Sequence, residues 1–119
     1  MNTNQIANRL VELCRKGQWE TAQKELFAND AVSIEPNASP AFEKETKGLS
    51  AIIEKGHKWG SMVDKVNELD VSEPIVANNA FACTMRMDVT MKNKENMNMT
   101  ELCTYQVKDG KIVEEHFYV

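Results

Sequence analysis

The stretch MNMTELCTYQVKDGKIVEEHFYV, residues 97–119, decides the fold. It reads as two long strands joined by a tight turn at Lys108-Asp109-Gly110, with helices laid across one face of the hairpin. The turn has two readings. A two-residue type I′ turn at Asp109-Gly110 places Val107 opposite Ile112 and Cys103 opposite His116. A three-residue turn with a glycine bulge places Val107 opposite Lys111 and Cys103 opposite Glu115. A one-residue change in register turns a whole strand over, so the choice decides which side chains face the core. Cys103, Tyr105 and Val107 form the richer face of the first strand, and Val113, Phe117 and Val119, with Glu115 among them, that of the last. These faces match in the three-residue turn, which is the expected one. Glu115 then points inward with Glu101 and Cys103, and Glu114, His116 and Tyr118 point away.

Upstream, Ile6, Leu10, Leu13 and Cys14 fall on one helical face, capped by Asn2, Thr3 or Asn4 and ended near Gly17. A second helix is expected from about Trp19 to Phe27, ended at Asn29-Asp30. Ala31–Glu35 is a short strand stopped by Pro36. Residues 37–47 read as a long loop, a candidate rim or lid. From about Leu49 a third helix carries Leu49, Ile52, Ile53, Gly56 and Trp59 or Met62 inward, with Gly56 and Gly60 weakening its last turns. Val63–Val71 is a poorly alternating strand, continued by Ile75–Ala77. Phe81–Met91 alternates cleanly, with Phe81, Cys83, Met85, Met87, Val89 and Met91 on one face. The order α-α-β-α-β-β-β-β is an α+β layout, three helices on one face of a curved antiparallel sheet.

A length of 119 residues suits one domain, 1–119, able to bury its own core. With 42% apolar and 27% charged residues the balance is globular rather than disordered. The net charge of −4 with scattered basic residues argues against nucleic acid and against a polybasic membrane contact. There is no leader-like start and no membrane-length apolar run. Cys14, Cys83 and Cys103 read as reduced thiols, so a cytoplasmic location is expected.

Three features carry a resemblance: LFANDAVSIEP after two helices, a helix begun at Lys47-Gly48-Leu49, and the ending YQVKDGKIVEEHFYV. Together they resemble the SnoaL-like group of the nuclear-transport-factor-like superfamily, in order and length over essentially the whole chain. The resemblance implies a cone-shaped α+β fold and an apolar conical pocket for a small, largely apolar molecule. It also implies a homodimer through the outer sheet face. Members of the superfamily include ketosteroid isomerases and polyketide cyclases, so an acid/base isomerase, cyclase or hydratase without cofactor or metal is implied. A non-catalytic ligand-binding or docking module is the alternative. In the ketosteroid isomerases the base follows the first strand at an Asp-Pro, and Glu35-Pro36 holds that place here. Their oxyanion tyrosine is replaced by Leu10, and their second oxyanion donor by Cys103 or a neighbour.

The candidate catalytic residues are therefore Glu35 as base, with Glu115 and Tyr105 assisting. Candidate ligand-binding residues are Trp19, His57, Trp59, Met85, Met87, Cys103 and Phe117, the methionines as an adaptable lining. Two distant histidines without spaced carboxylates make no metal site. The outer face, with Thr84, Thr90, Thr100 and Thr104, suits a second subunit.

Overall fold

The computed structural model describes residues 1–119. Helix α1, Thr3–Arg15, begins in a capping box in which the Asn2 side chain accepts from the Gln5 backbone N–H and the Gln5 side chain returns the bond. It buries Ile6, Ala7, Leu10, Val11, Leu13 and Cys14, the expected face. Each fully buried leucine there contributes about 2 kcal/mol. Gly17, at φ +68°, follows the helix end. Helix α2, Trp19–Leu26, stops where Phe27 becomes extended. Strand β1 therefore starts at Phe27 and runs to Ile34, four residues earlier than expected. The Asn29-Asp30 pair is accommodated within it at exposed positions, beside a register irregularity.

The expected loop 37–47 contains a short strand, β2, Glu45–Lys47, paired antiparallel with β1. Helix α3, Leu49–Met62, stays continuous through Gly56 and Gly60, which sit on its exposed side. Strands β3 (Val63–Val71), β4 (Ile75–Val76), β5 (Ala80–Met91), β6 (Asn96–Lys108) and β7 (Lys111–Tyr118) complete a sheet in the order β2-β1-β7-β6-β5-β3, with β4 against β5. Helices pack on this sheet in an α+β arrangement. The sheet is mixed rather than wholly antiparallel, because β1 lies parallel to β7. The connection from β1 to β7 spans most of the chain, which leaves room for a parallel pairing.

The final turn corrects the expected three-residue loop. Lys108 pairs with Lys111 and Val107 with Ile112, so Asp109-Gly110 is a two-residue turn. Both residues have positive φ, 52° and 75°, as type I′ requires. Beyond it the register shifts, and Gln106 pairs with Glu114, Tyr105 with Glu115 and Cys103 with Phe117. Val113 is thus an extra residue in β7, a β-bulge. Turn and bulge together restore the parity that the three-residue turn was expected to supply. Cys103, Tyr105 and Glu115 face the core, and Phe117 is half-buried on the same wall.

Gly110 sits at φ +75°, and a Cβ added there would lie 3.4 Å from the Met1 carbonyl oxygen, so Gly110→Ala is strained. It should cost about 1 kcal/mol in urea unfolding. No loss would mean that the turn adopts a different geometry.

Candidate functional site

The inner wall of the sheet is ordered in rows. Phe81, Tyr105, Glu115 and Ser33 lie side by side across β5, β6, β7 and β1. Cys83, Cys103 and Phe117 form the next row. Glu35 joins it, because the preceding Ile34 pairs with His116. Met85 and Glu101 stand opposite one another in the row after that, and Met87 and Met99 in the following one. Helix α3 lies over these rows. Ile52, Lys55 and Trp59 recur at i, i+3 and i+7 on one of its faces, so Lys55 is directed at the polar part of the wall.

The polar side chains form one connected line. The Lys55 ammonium donates to Ser33 Oγ at 2.7 Å and to Glu35 Oε1 at 3.0 Å. The Ser33 hydroxyl donates to Glu115 Oε2 at 2.9 Å. Ser33 is fully buried and Glu115 is 7% exposed, whereas the side chains of Lys55 and Glu35 are 16% and 25% exposed. The line therefore runs from solvent into the wall. Lys55 also lies 5.7 Å from the centre of the Phe117 ring.

Burial pushes the Glu115 carboxyl up to about 7. The Ser33 hydrogen bond, the Lys55 charge and the Tyr105 hydroxyl oppose the rise, and the Glu35 charge adds to it. Burial and the Glu35 charge also raise Glu101. Tyr105, buried and stacked on Phe81 at 4.8 Å, is held in its neutral form by burial and by the charge of Glu115. Cys103 is held neutral by its hydrogen bond with Cys83 and by burial, as befits packing rather than nucleophilic attack.

The structure thus brings together Glu35, Glu115, Tyr105, Cys103 and Phe117. Met85 and Met87 continue the same wall, and Met87 clusters with Val89 and Met91 against Trp19 and Trp59. His57 is not part of this group. It is 58% exposed and turns to Glu20 and Glu54 on the α2 side of α3. Leu10, at the place of the isomerase tyrosine, is buried in the core. Lys55 and Ser33 are the site residues that sequence reasoning missed. The spacing of Lys55 from Ile52 and Trp59 was the available signal, since a lysine within an apolar stripe needs a partner. No group of three His, Cys, Asp or Glu side chains is placed to hold a metal ion.

A recess of about 570 Å³ lies at the other end of the hairpin, lined by residues 1–4, 77–79 and 107–110. A second, of about 210 Å³, lies between α2 and α3 beside Trp19, Glu20, Ile53 and His57. Neither touches Glu35, Lys55 or Glu115. No helix is long and apolar enough to cross a membrane.

The raised Glu115 has a consequence for stability. Between its ordinary value of 4.5 and about 7 the folded chain keeps a proton that the unfolded chain releases. Stability therefore falls as pH rises through that window, by about 3 kcal/mol from this group. Glu115→Gln lacks this loss. Urea unfolding at about pH 4.5 and about pH 8 should show the stability difference between the two proteins move toward the variant by that amount. A difference independent of pH would place Glu115 at an ordinary carboxylate value.

Comparison with known proteins agrees with the architecture. The sequence matches the SnoaL-like domain over residues 1–119. It is 32% identical to a candidate SnoaL-like polyketide cyclase from Mesorhizobium loti, with a TM-score of 0.92 and 100% of each chain covered. An NTF2-like protein from Burkholderia thailandensis shares the fold at 14% identity and a TM-score of 0.83, covering 99% of this chain and 90% of that one. TerC, crystallised with polyporic acid, shares it at 12% identity and a TM-score of 0.76, covering 96% and 88%. No curated protein matches. With the family's pattern running from the first residue to the last, the chain belongs to the SnoaL-like domain family.

Proposed function

We propose that this protein binds a small, largely apolar molecule and performs an acid/base step on it: an isomerisation, cyclisation or addition of water. The observation that carries the reading is the line Glu35–Lys55–Ser33–Glu115, which leads from the rim to a buried carboxyl with a pKa near neutrality. A general acid or base is most effective when its pKa lies close to the working pH. The likeness to a candidate polyketide cyclase supports the same class of chemistry.

In this reading Glu35 removes a proton from a carbon next to a carbonyl. The negative charge that develops on the carbonyl oxygen faces Lys55. Two of the three ammonium hydrogens are used by Ser33 and Glu35, which leaves one donor for that oxygen. Lys55 thereby supplies the electrostatic stabilisation that Leu10 and Cys103 do not. Phe117, Met85, Met99 and Trp59, all half-buried, offer the apolar surface beside it.

A thermal-shift screen with steroid-like, terpene-like and aromatic polyketide compounds tests this. At least one class should raise the melting temperature of the wild type. Turnover of a stabilising compound should fall by about 100-fold or more in Glu35→Gln. Stabilisation by none of these compounds would favour the non-catalytic docking module.

The outer sheet face is proposed to pair two copies of the chain. Leu102 and Tyr118, paired on the central strands β6 and β7, are exposed there, and Tyr118 stacks on His116 at 4.2 Å. Sedimentation should show a dimer in the wild type and a shift toward monomer in Leu102→Glu. A monomeric wild type at micromolar concentration would remove the proposal.

A further inference from the structure

The acid/base reading assigns Glu35 to the rim and Glu115 to the wall, but it leaves open how a proton taken at one reaches the other. The hydrogen bonds give one continuous path, with the Lys55 ammonium donating outward to Glu35 and inward to Ser33. Lys55 donates to Ser33, and Ser33 donates to Glu115. We infer that Lys55 and Ser33 form a proton relay that carries a proton collected by Glu35 inward to Glu115 and returns it to the product. The inference rests on Glu35 and Glu115 being the acid/base pair of the site.

The transfer balances at each atom. The Lys55 ammonium passes one of its protons to Ser33 Oγ, which frees the nitrogen lone pair that then takes the proton from protonated Glu35. Ser33 gives its original hydroxyl proton to the Glu115 carboxylate. Glu35 ends ionised, Lys55 ends as an ammonium, Ser33 ends as a hydroxyl and Glu115 ends protonated. The contacts along the path are 3.0, 2.7 and 2.9 Å, all within hydrogen-bond reach. Because Ser33 is fully buried, solvent does not replace it in the middle of the line.

Three of the other ionisable groups around Glu115 do not compete for this role. Tyr105 and Cys103 from β6 and Cys14 from α1 are all raised and stay protonated at neutral pH. Cys83 from β5 is hydrogen-bonded to Cys103. Glu101 faces Glu35 and Lys55 and is the one further carboxyl that could draw the proton aside. The raised Glu115 fits the role of a group that both accepts and returns a proton near neutrality.

The test is an NMR titration of the full chain labelled with carboxyl-¹³C glutamate, which needs no ligand. In the wild type the Glu115 signal should move as one averaged resonance, because exchange through the relay is fast. Ser33→Thr keeps a hydroxyl, and Ser33→Val has nearly the same shape without one, so any packing penalty is common to both. Exchange at Glu115 should slow by about 100-fold in Ser33→Val and in Lys55→Met, and be retained in Ser33→Thr and in the control Glu101→Gln. Equal exchange in Ser33→Val and Ser33→Thr would overturn the relay. If both Ser33 variants fail to fold, Lys55→Met decides: unchanged exchange overturns the relay, and slowed exchange supports it. Failure of every compound in the thermal-shift screen would instead count against the small-molecule reading and leave the exchange result standing.

Discussion

One inserted residue, Val113, decides which side of the last strand meets the helices. A two-residue turn alone would set Cys103 opposite His116 and turn Glu115 to the outside. The bulge adds one position, so Cys103 meets Phe117 and Tyr105 meets Glu115. Everything in the candidate site depends on this parity. Ser33 can reach Glu115 only because Glu115 faces inward, and it stands directly beside it because β1 runs parallel to β7.

Placing a carboxyl in that position has a cost, which the site manages with few groups. Glu115 has lost most of its water, so its neutral form is favoured. Ser33, Tyr105 and Lys55 supply the polar contacts and charge that keep its ionised form accessible. Lys55 holds Glu35 at the rim as well, so one ammonium on α3 serves two carboxyls. The same ammonium lies over the Phe117 ring, 5.7 Å from its centre. What results is a polar seam within an apolar wall, open at one end, rather than a carboxylate in bulk water.

The ketosteroid isomerase pattern is only partly present. Glu35 holds the place of the base, but Leu10 is a core residue and Cys103 is a packed, neutral thiol. On the proposed reading the place of the base is filled and the places of the two oxyanion donors are not. On that reading Lys55 is the group that meets the negative charge in their stead. Substituting a cation for neutral donors changes the demand on the ligand, because an ammonium stabilises a developing oxyanion by charge as well as by hydrogen bonding.

Local pattern settled a good part of this protein. The buried face of α1, the alternation of β5, the inward set Cys103, Tyr105, Glu115 and Phe117, and the placing of Glu35 before Pro36 were all legible from residues a few positions apart. Such features follow from helix and strand periodicity, which is a property of near neighbours. The early start of β1, its parallel pairing with β7 and the turn-plus-bulge route to the last register were not legible. Each is decided by which distant strand supplies the hydrogen bonds. The same holds for the site. Ser33 and Glu115 are 82 positions apart, and Lys55 and Ser33 are 22 apart. Residue types and spacing identified the carboxyls, but only the packing of α3 on β1, and of β1 beside β7, joined them through a lysine and a serine. A buried polar group takes its partner from whatever the fold brings beside it, and that is set by tertiary structure.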